Sequence, residues 1–288
     1  MTKYIFTILA TSLLLWSCQG ESTTQSDDNI TELETAYDAN PNGDNLDALL
    51  TAYAQDSSGQ YAEKSAYLKL SNNRTKEGIN DLKVLLRQDR KGDYAFGLAN
   101  AYKEQQQNEI AFTAYQAYAK AFPDHEQAKT ISMSINELPD LTTRMSNLFE
   151  RAKSDSLRRM KPAIINDYIY SAEAVALIYP AADSAATHLR RAASFAQDYQ
   201  RNLNQALVFY EMLIDNYPNT GERESALFAT AFLYDEELGN LEKAQQFYEQ
   251  FLKEYPNSDF ADDAEIMLTN LGKDDEELLE ELLKRREG

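Results

Sequence analysis

The feature that most constrains this chain is a short pattern written twice at a fixed offset. Ala206, Tyr210 and Pro218 recur in the same order and spacing as Ala244, Tyr248 and Pro256, and each proline is preceded by a tyrosine. Residues 205–217 carry Ala206, Phe209, Tyr210, Leu213 and Ile214 at i, i+3, i+4, i+7 and i+8, which is one apolar stripe of a helix. Residues 245–255 repeat the stripe with Phe247, Tyr248, Phe251 and Leu252. The proline then ends each helix, because it disfavours helical backbone in the residue before it and has no N–H to donate. Upstream of each lies a second helix, with Leu189, Ala192, Ala193 and Ala196 matched at the same offset by Leu227, Thr230, Ala231 and Tyr234. The repeating unit is a helix pair.

A third copy occupies residues 93–124, with Leu98, Ala99 and Tyr102 on its first helix and Ala111, Tyr115 and Pro123 on its second. An alanine, an aromatic four residues on and a proline twelve after the alanine resemble the tetratricopeptide repeat family. That resemblance implies an all-α solenoid of stacked helix pairs, with a concave face lined by the first helix of each pair that takes peptides or protein domains. The match has departures. Ala95, Leu189 and Leu227 stand where the family has tryptophan, alanine replaces its glycine, and the two later copies exceed the usual unit of about 34 residues. Longer units closed by Tyr-Pro are similar to repeats of bacterial envelope proteins associated with Tol-Pal or outer-membrane assembly.

The start of the chain bears on where it works. Lys3, an apolar run over 4–15 and then Leu15-Trp16-Ser17-Cys18 read as a secretory signal too short for a comfortable membrane span. The last four residues resemble a bacterial lipobox, although tryptophan is an unusual choice within it. The resemblance implies cleavage before Cys18, the only cysteine, with lipid on its sulfur and new amino group. An anchor with more than one acyl chain holds a soluble domain at a membrane. The location expected is the bacterial cell envelope, at the outer membrane.

Residues 1–17 are thus expected to be signal peptide and 18–29, polar with little to bury, a flexible tether. Residues 30–137 are expected to form an N-terminal repeat stack and 138–162 a connecting helix. A C-terminal stack then fills 163–272, and 273–288 is a capping helix with a stripe of Leu278, Leu279, Leu282 and Leu283. Residues 76–88 read as a degenerate second helix, with Gly78, Leu82 and Leu85 in the places of Ala111, Tyr115 and Tyr118. The stretch from Pro123 to Pro180 is one and a half repeat periods long and fits three helices, so the two-helix alternation must change register there. The middle one is basic (Arg144, Arg151, Lys153, Arg158, Arg159 and Lys161), which reads as a solvated face, with a binding patch as the alternative.

Removing residues 1–17 takes only Lys3 among charged residues and moves the net charge from -19 to -20. Acidity of that size opposes nucleic acid and anionic lipid surfaces, so no nucleic-acid partner is expected. The two histidines, His125 and His188, lie far apart with no cysteine nearby, and no phosphate-binding glycine loop is present. Residues 38–44 resemble the opening of a calcium loop, but the position that needs a bidentate glutamate is Leu49. Neither catalysis, cofactor nor metal is expected. The function these observations imply is a non-catalytic, membrane-anchored scaffold lipoprotein whose concave face binds other envelope proteins or peptides. The alternatives are a glycan- or substrate-binding surface lipoprotein and a component of outer-membrane protein assembly.

Overall fold

The computed structural model describes residues 21–156 and 162–273. Among these residues there are fourteen α-helices and no strand, the all-α helix-pair solenoid that the periodicity implies. The signal, Cys18 and the capping segment from residue 274 lie outside the described residues. The chain divides into two compact units, Met1–Leu85 and Leu86–Gly288.

In the first unit, α1 (Glu21–Ala39) packs on α2 (Gly43–Gln55), α2 packs on α3 (Ala62–Ser71), and α4 (Thr75–Gln88) begins here. The core gathers Ile30, Leu46, Leu49, Leu50 and Tyr53. The stretch expected to be a flexible tether is helical from Glu21, and the Asp27 carboxylate accepts from Gln60 Nε2 at 3.1 Å and Tyr61 OH at 3.2 Å. A polar segment orders here because a neighbouring turn holds it and Ile30 is buried beside it. Gly78 lets α4 approach α3 closely: a Cβ there would stand 2.7 Å from Leu70 Cγ and 2.9 Å from the Ala66 carbonyl oxygen. The calcium-like stretch is a turn between helices. Asn42 caps α2 by accepting from the Asn45 N–H, Asn45 Nδ2 donates to the carbonyls of Ala36 and Asn40, and Leu49 is core.

The second unit holds α5 (Gly92–Glu104), α6 (Asn108–Ala121), α7 (Ala128–Ser134), α8 (Leu141–Ser156) and α9 (Pro162–Ile178). After them come α10 (Ala185–Asp198), α11 (Leu203–Asn216), α12 (Gly221–Phe232), α13 (Leu241–Glu254) and α14 (Ala261–Asn270). Neighbours in sequence pack together from α9 to α14, as they do in α5 and α6. Between these runs α6 packs directly on α9, while α8 lies against both. Both helices carry small buried residues, among them Ala114 and Ala117 on α6 and Ala172 and Ala176 on α9. Every residue of α9 from Ser171 to Ile178 is buried, as expected of a helix with neighbours on all sides.

The division between units falls at Leu85 and Leu86, inside the stretch 30–137, and within 138–162 α8 packs on α6 and α9. The basic face of α8 is also not wholly solvated. Arg144 is buried, its Nε donating to Thr113 Oγ1 at 3.0 Å and its Nη2 to Glu109 Oε2 at 2.8 Å. A buried guanidinium needs such partners, and α6 supplies them. Arg158, Arg159 and Lys161 lie outside the described residues.

Candidate functional site

The repeat residues set the frame of the second unit. Leu98, Ala99, Ala111, Leu189, Ala193, Ala206, Leu227, Ala231, Ala244 and Tyr248 have no exposed surface, and Tyr102, Tyr115, Tyr210 and Tyr234 are buried. Small residues set the helix spacing and tyrosines reach across it. Tyr210 OH donates to Gln197 Oε1, and its counterpart one repeat later, Tyr248 OH, donates to Asp235 Oδ2, both at 3.4 Å. Pro123, Pro218 and Pro256 are exposed and follow the last residue of α6, α11 or α13 by two positions, so they stop helices and take no part in the core.

The turn inside each pair is equally regular. Asn202 and Asn240, at equivalent repeat positions, cap α11 and α13 by accepting from the N–H of Gln205 and Lys243 at 3.1 Å. The residue before each cap is left-handed, Arg201 at φ 52° and Gly239 at φ 61°. Sequence reasoning missed these caps, although the repeated Asn-Leu at 202–203 and 240–241 signals them.

The first helices of successive pairs, α10, α12 and α14, meet near their N-terminal ends, and this edge is the candidate site. Between α10 and α12, Glu222 receives Thr187 Oγ1 on one carboxylate oxygen at 2.8 Å and Arg190 Nε on the other. A cleft of about 830 Å³ opens beside this pair, lined also by Ser184, Tyr217 and Thr220. Tyr217 is buried there, its hydroxyl has no hydrogen-bond partner, and burial pushes that hydroxyl's pKa up to about 12. One repeat later the chemistry changes while the positions do not. Phe228 stands at the position equivalent to Arg190 and Phe260 at the one equivalent to Glu222, and these rings stack with centroids 5.3 Å apart and planes at 29°. An ion pair at one junction is replaced by an aromatic pair at the next.

Arg223 ties the same edge to the second helices. It donates to the Ile214 carbonyl at 3.0 Å, to Tyr255 OH at 3.1 Å and to the Glu254 carboxylate, which it holds below the usual carboxylate range. Ser258 donates to Glu224 across the junction of α12 and α14.

Both histidines serve packing. His125 lies between Tyr118 OH at 2.5 Å from Nδ1 and Asp93 Oδ1 at 3.1 Å from Nε2, over Gly92, where any Cβ would meet the ring. His188 is buried with Tyr168 OH 2.9 Å from its Nδ1, and burial beside Arg191 lowers its pKa to about 4. Among the described residues no group of three or more His, Cys, Asp or Glu could hold a metal. No helix among them is long and apolar enough to cross a membrane.

A family model of the tetratricopeptide repeat matches residues 93–125, 186–220 and 225–258. These spans correspond to the pairs α5 with α6, α10 with α11 and α12 with α13, so the chain carries this repeat in three places. No curated protein and no solved structure matches the chain. Repeats of this kind stack into scaffolds for protein–protein interaction.

Proposed function

We propose that this chain is a non-catalytic scaffold lipoprotein, anchored through Cys18 to the outer membrane of a bacterial envelope, that gathers other envelope proteins or peptides on the face lined by its first helices. The observation that carries the scaffold reading is the row of first helices α10, α12 and α14, tied by Arg190 with Glu222 and Ser258 with Glu224. Such a row is a preformed surface, so binding there costs little ordering entropy. Support for the anchor comes from Leu15-Trp16-Ser17-Cys18 after an apolar run. The net charge of -19 favours basic partners over nucleic acid.

The anchor is tested by Cys18→Ala, which is expected to move the mature chain from the membrane fraction to the soluble one. Unchanged membrane association refutes it. For the scaffold, crosslinking in intact cells is expected to capture an envelope protein reproducibly. Capture of none, with retention on an oligosaccharide column, would replace it by the glycan-binding reading.

A further inference from the structure

We infer that the junction of α12 and α14 is a docking surface for a basic amphipathic protein segment, an assignment that rests on the scaffold reading and names the partner chemistry of one part of its face. The inference begins with the exchange at positions 190 and 222. Where the preceding junction closes on itself through Arg190 and Glu222, this one presents Phe228 stacked on Phe260, and 45% of Phe260 remains exposed. Phe232 lies one turn beyond Phe228 on the same face of α12 and is 37% exposed. Large apolar side chains at one repeat junction are the pattern of an interaction patch, whereas scattered exposed ones carry no message.

Charge selects the partner. Residues 221–273 contain twelve acidic and four basic side chains, and two of those bases, Arg223 and Lys243, are already engaged with Glu254 and Tyr234. Acids stand close to the patch. Glu224 precedes Phe228 by one turn, Asp259 adjoins Phe260, and Asp263 follows Phe260 within one turn. An apolar centre rimmed by carboxylates fits a segment with apolar residues on one side and Lys or Arg around them. An acidic segment would meet repulsion around the whole rim.

The test uses a fluorescent helical peptide of leucine and lysine in amphipathic order, with the full chain and with the double variant Phe232→Ser plus Phe260→Ser. Both side chains are exposed enough for the fold to tolerate the change. The wild type is expected to bind at least about tenfold more tightly than the double variant, since a few apolar anchors carry most of such an affinity. It is also expected to prefer this peptide by a similar factor over a scrambled peptide of the same composition and over a leucine–glutamate counterpart. Equal binding by wild type and variant, or equal binding of the scrambled peptide, overturns the inference, because net charge alone would then account for the attraction. Dimerisation in sedimentation that Phe260→Ser abolishes, without peptide binding, assigns the patch to a second copy and overturns it too. These outcomes leave the scaffold reading standing, because capture of an envelope protein elsewhere on the face does not require this patch.

Discussion

The run from α10 to α14 and the run from α5 to α9 use the same kinds of residue and reach different packing. In the first, structure repeats with the sequence period: Asn202 and Asn240 cap, Tyr210 and Tyr248 bond across their pairs, and Ala206 and Ala244 sit at contacts with no exposed surface. In the second, α6 packs more extensively on α9 than on its next neighbour α7, with α8 placed against both α6 and α9 and fastened by Arg144 to Thr113 and Glu109. The difference teaches that a helix pair is a portable unit only where the next pair arrives at once. When α7 and α8 intervene, the best-matched apolar surface, α9, takes the vacant place and becomes the most buried helix of the unit.

The largest effect that would sharpen this contrast sits where the two runs join. His188 on α10 is buried against Tyr168 on α9, and the charge of Arg191 acts on it. Its folded pKa of about 4 lies below the ordinary value of 6.5, so between these pH values the unfolded chain binds the extra proton. Stability is therefore unaffected above pH 6.5 and is lost as pH falls towards 4, by about 3 kcal/mol in all. Thermal melts at pH 7 and pH 5 should differ markedly for the wild type and much less for His188→Gln. An equal pH dependence in both would show that the joint does not titrate.

Next in size is overpacking. Ala206→Trp and Ala244→Trp should each destabilise the chain on the order of 1 to 3 kcal/mol, and by similar amounts, because the positions are equivalent. Ala172→Trp on α9, enclosed by more neighbours, should cost more than either in urea denaturation. A cheaper Ala172→Trp would break the claim that α9 is the central helix.

The smallest effect concerns the turns. Arg201 holds a left-handed conformation that its equivalent Gly239 adopts without a Cβ penalty. Arg201→Gly should therefore raise stability, and Gly239→Ala should lower it, each by about 1 kcal/mol in chemical denaturation. Opposite signs at the two sites are the outcome that distinguishes backbone strain from a general effect of the loop.

Much of the frame was legible before any coordinates. The 3.6-residue stripe at Ala206, Phe209, Tyr210 and Leu213 depends only on which residues are apolar and how a helix turns, so it was readable locally. Gly78 was readable in the same way, as a small residue where a neighbour packs close. The caps Asn202 and Asn240 were equally local and were overlooked. What could not be read was pairing at a distance. Arg144 on an exposed-looking basic stretch finds Glu109 on a helix two elements earlier, and Asp27 in a polar stretch finds Gln60 and Tyr61.

The sequence alone determined the unit of construction, because helix period, proline stops and alanine contacts are properties of a few residues at a time. Tertiary structure alone decided the order of stacking and the character of the surface. Which helix packs most extensively on α6 is settled by contacts among α6, α8 and α9 that lie far apart in sequence, which no local window contains. In the same way, Phe228 and Phe260 become one patch only because two first helices meet, and the repeat period that relates them to Arg190 and Glu222 carries no record of which side faces out.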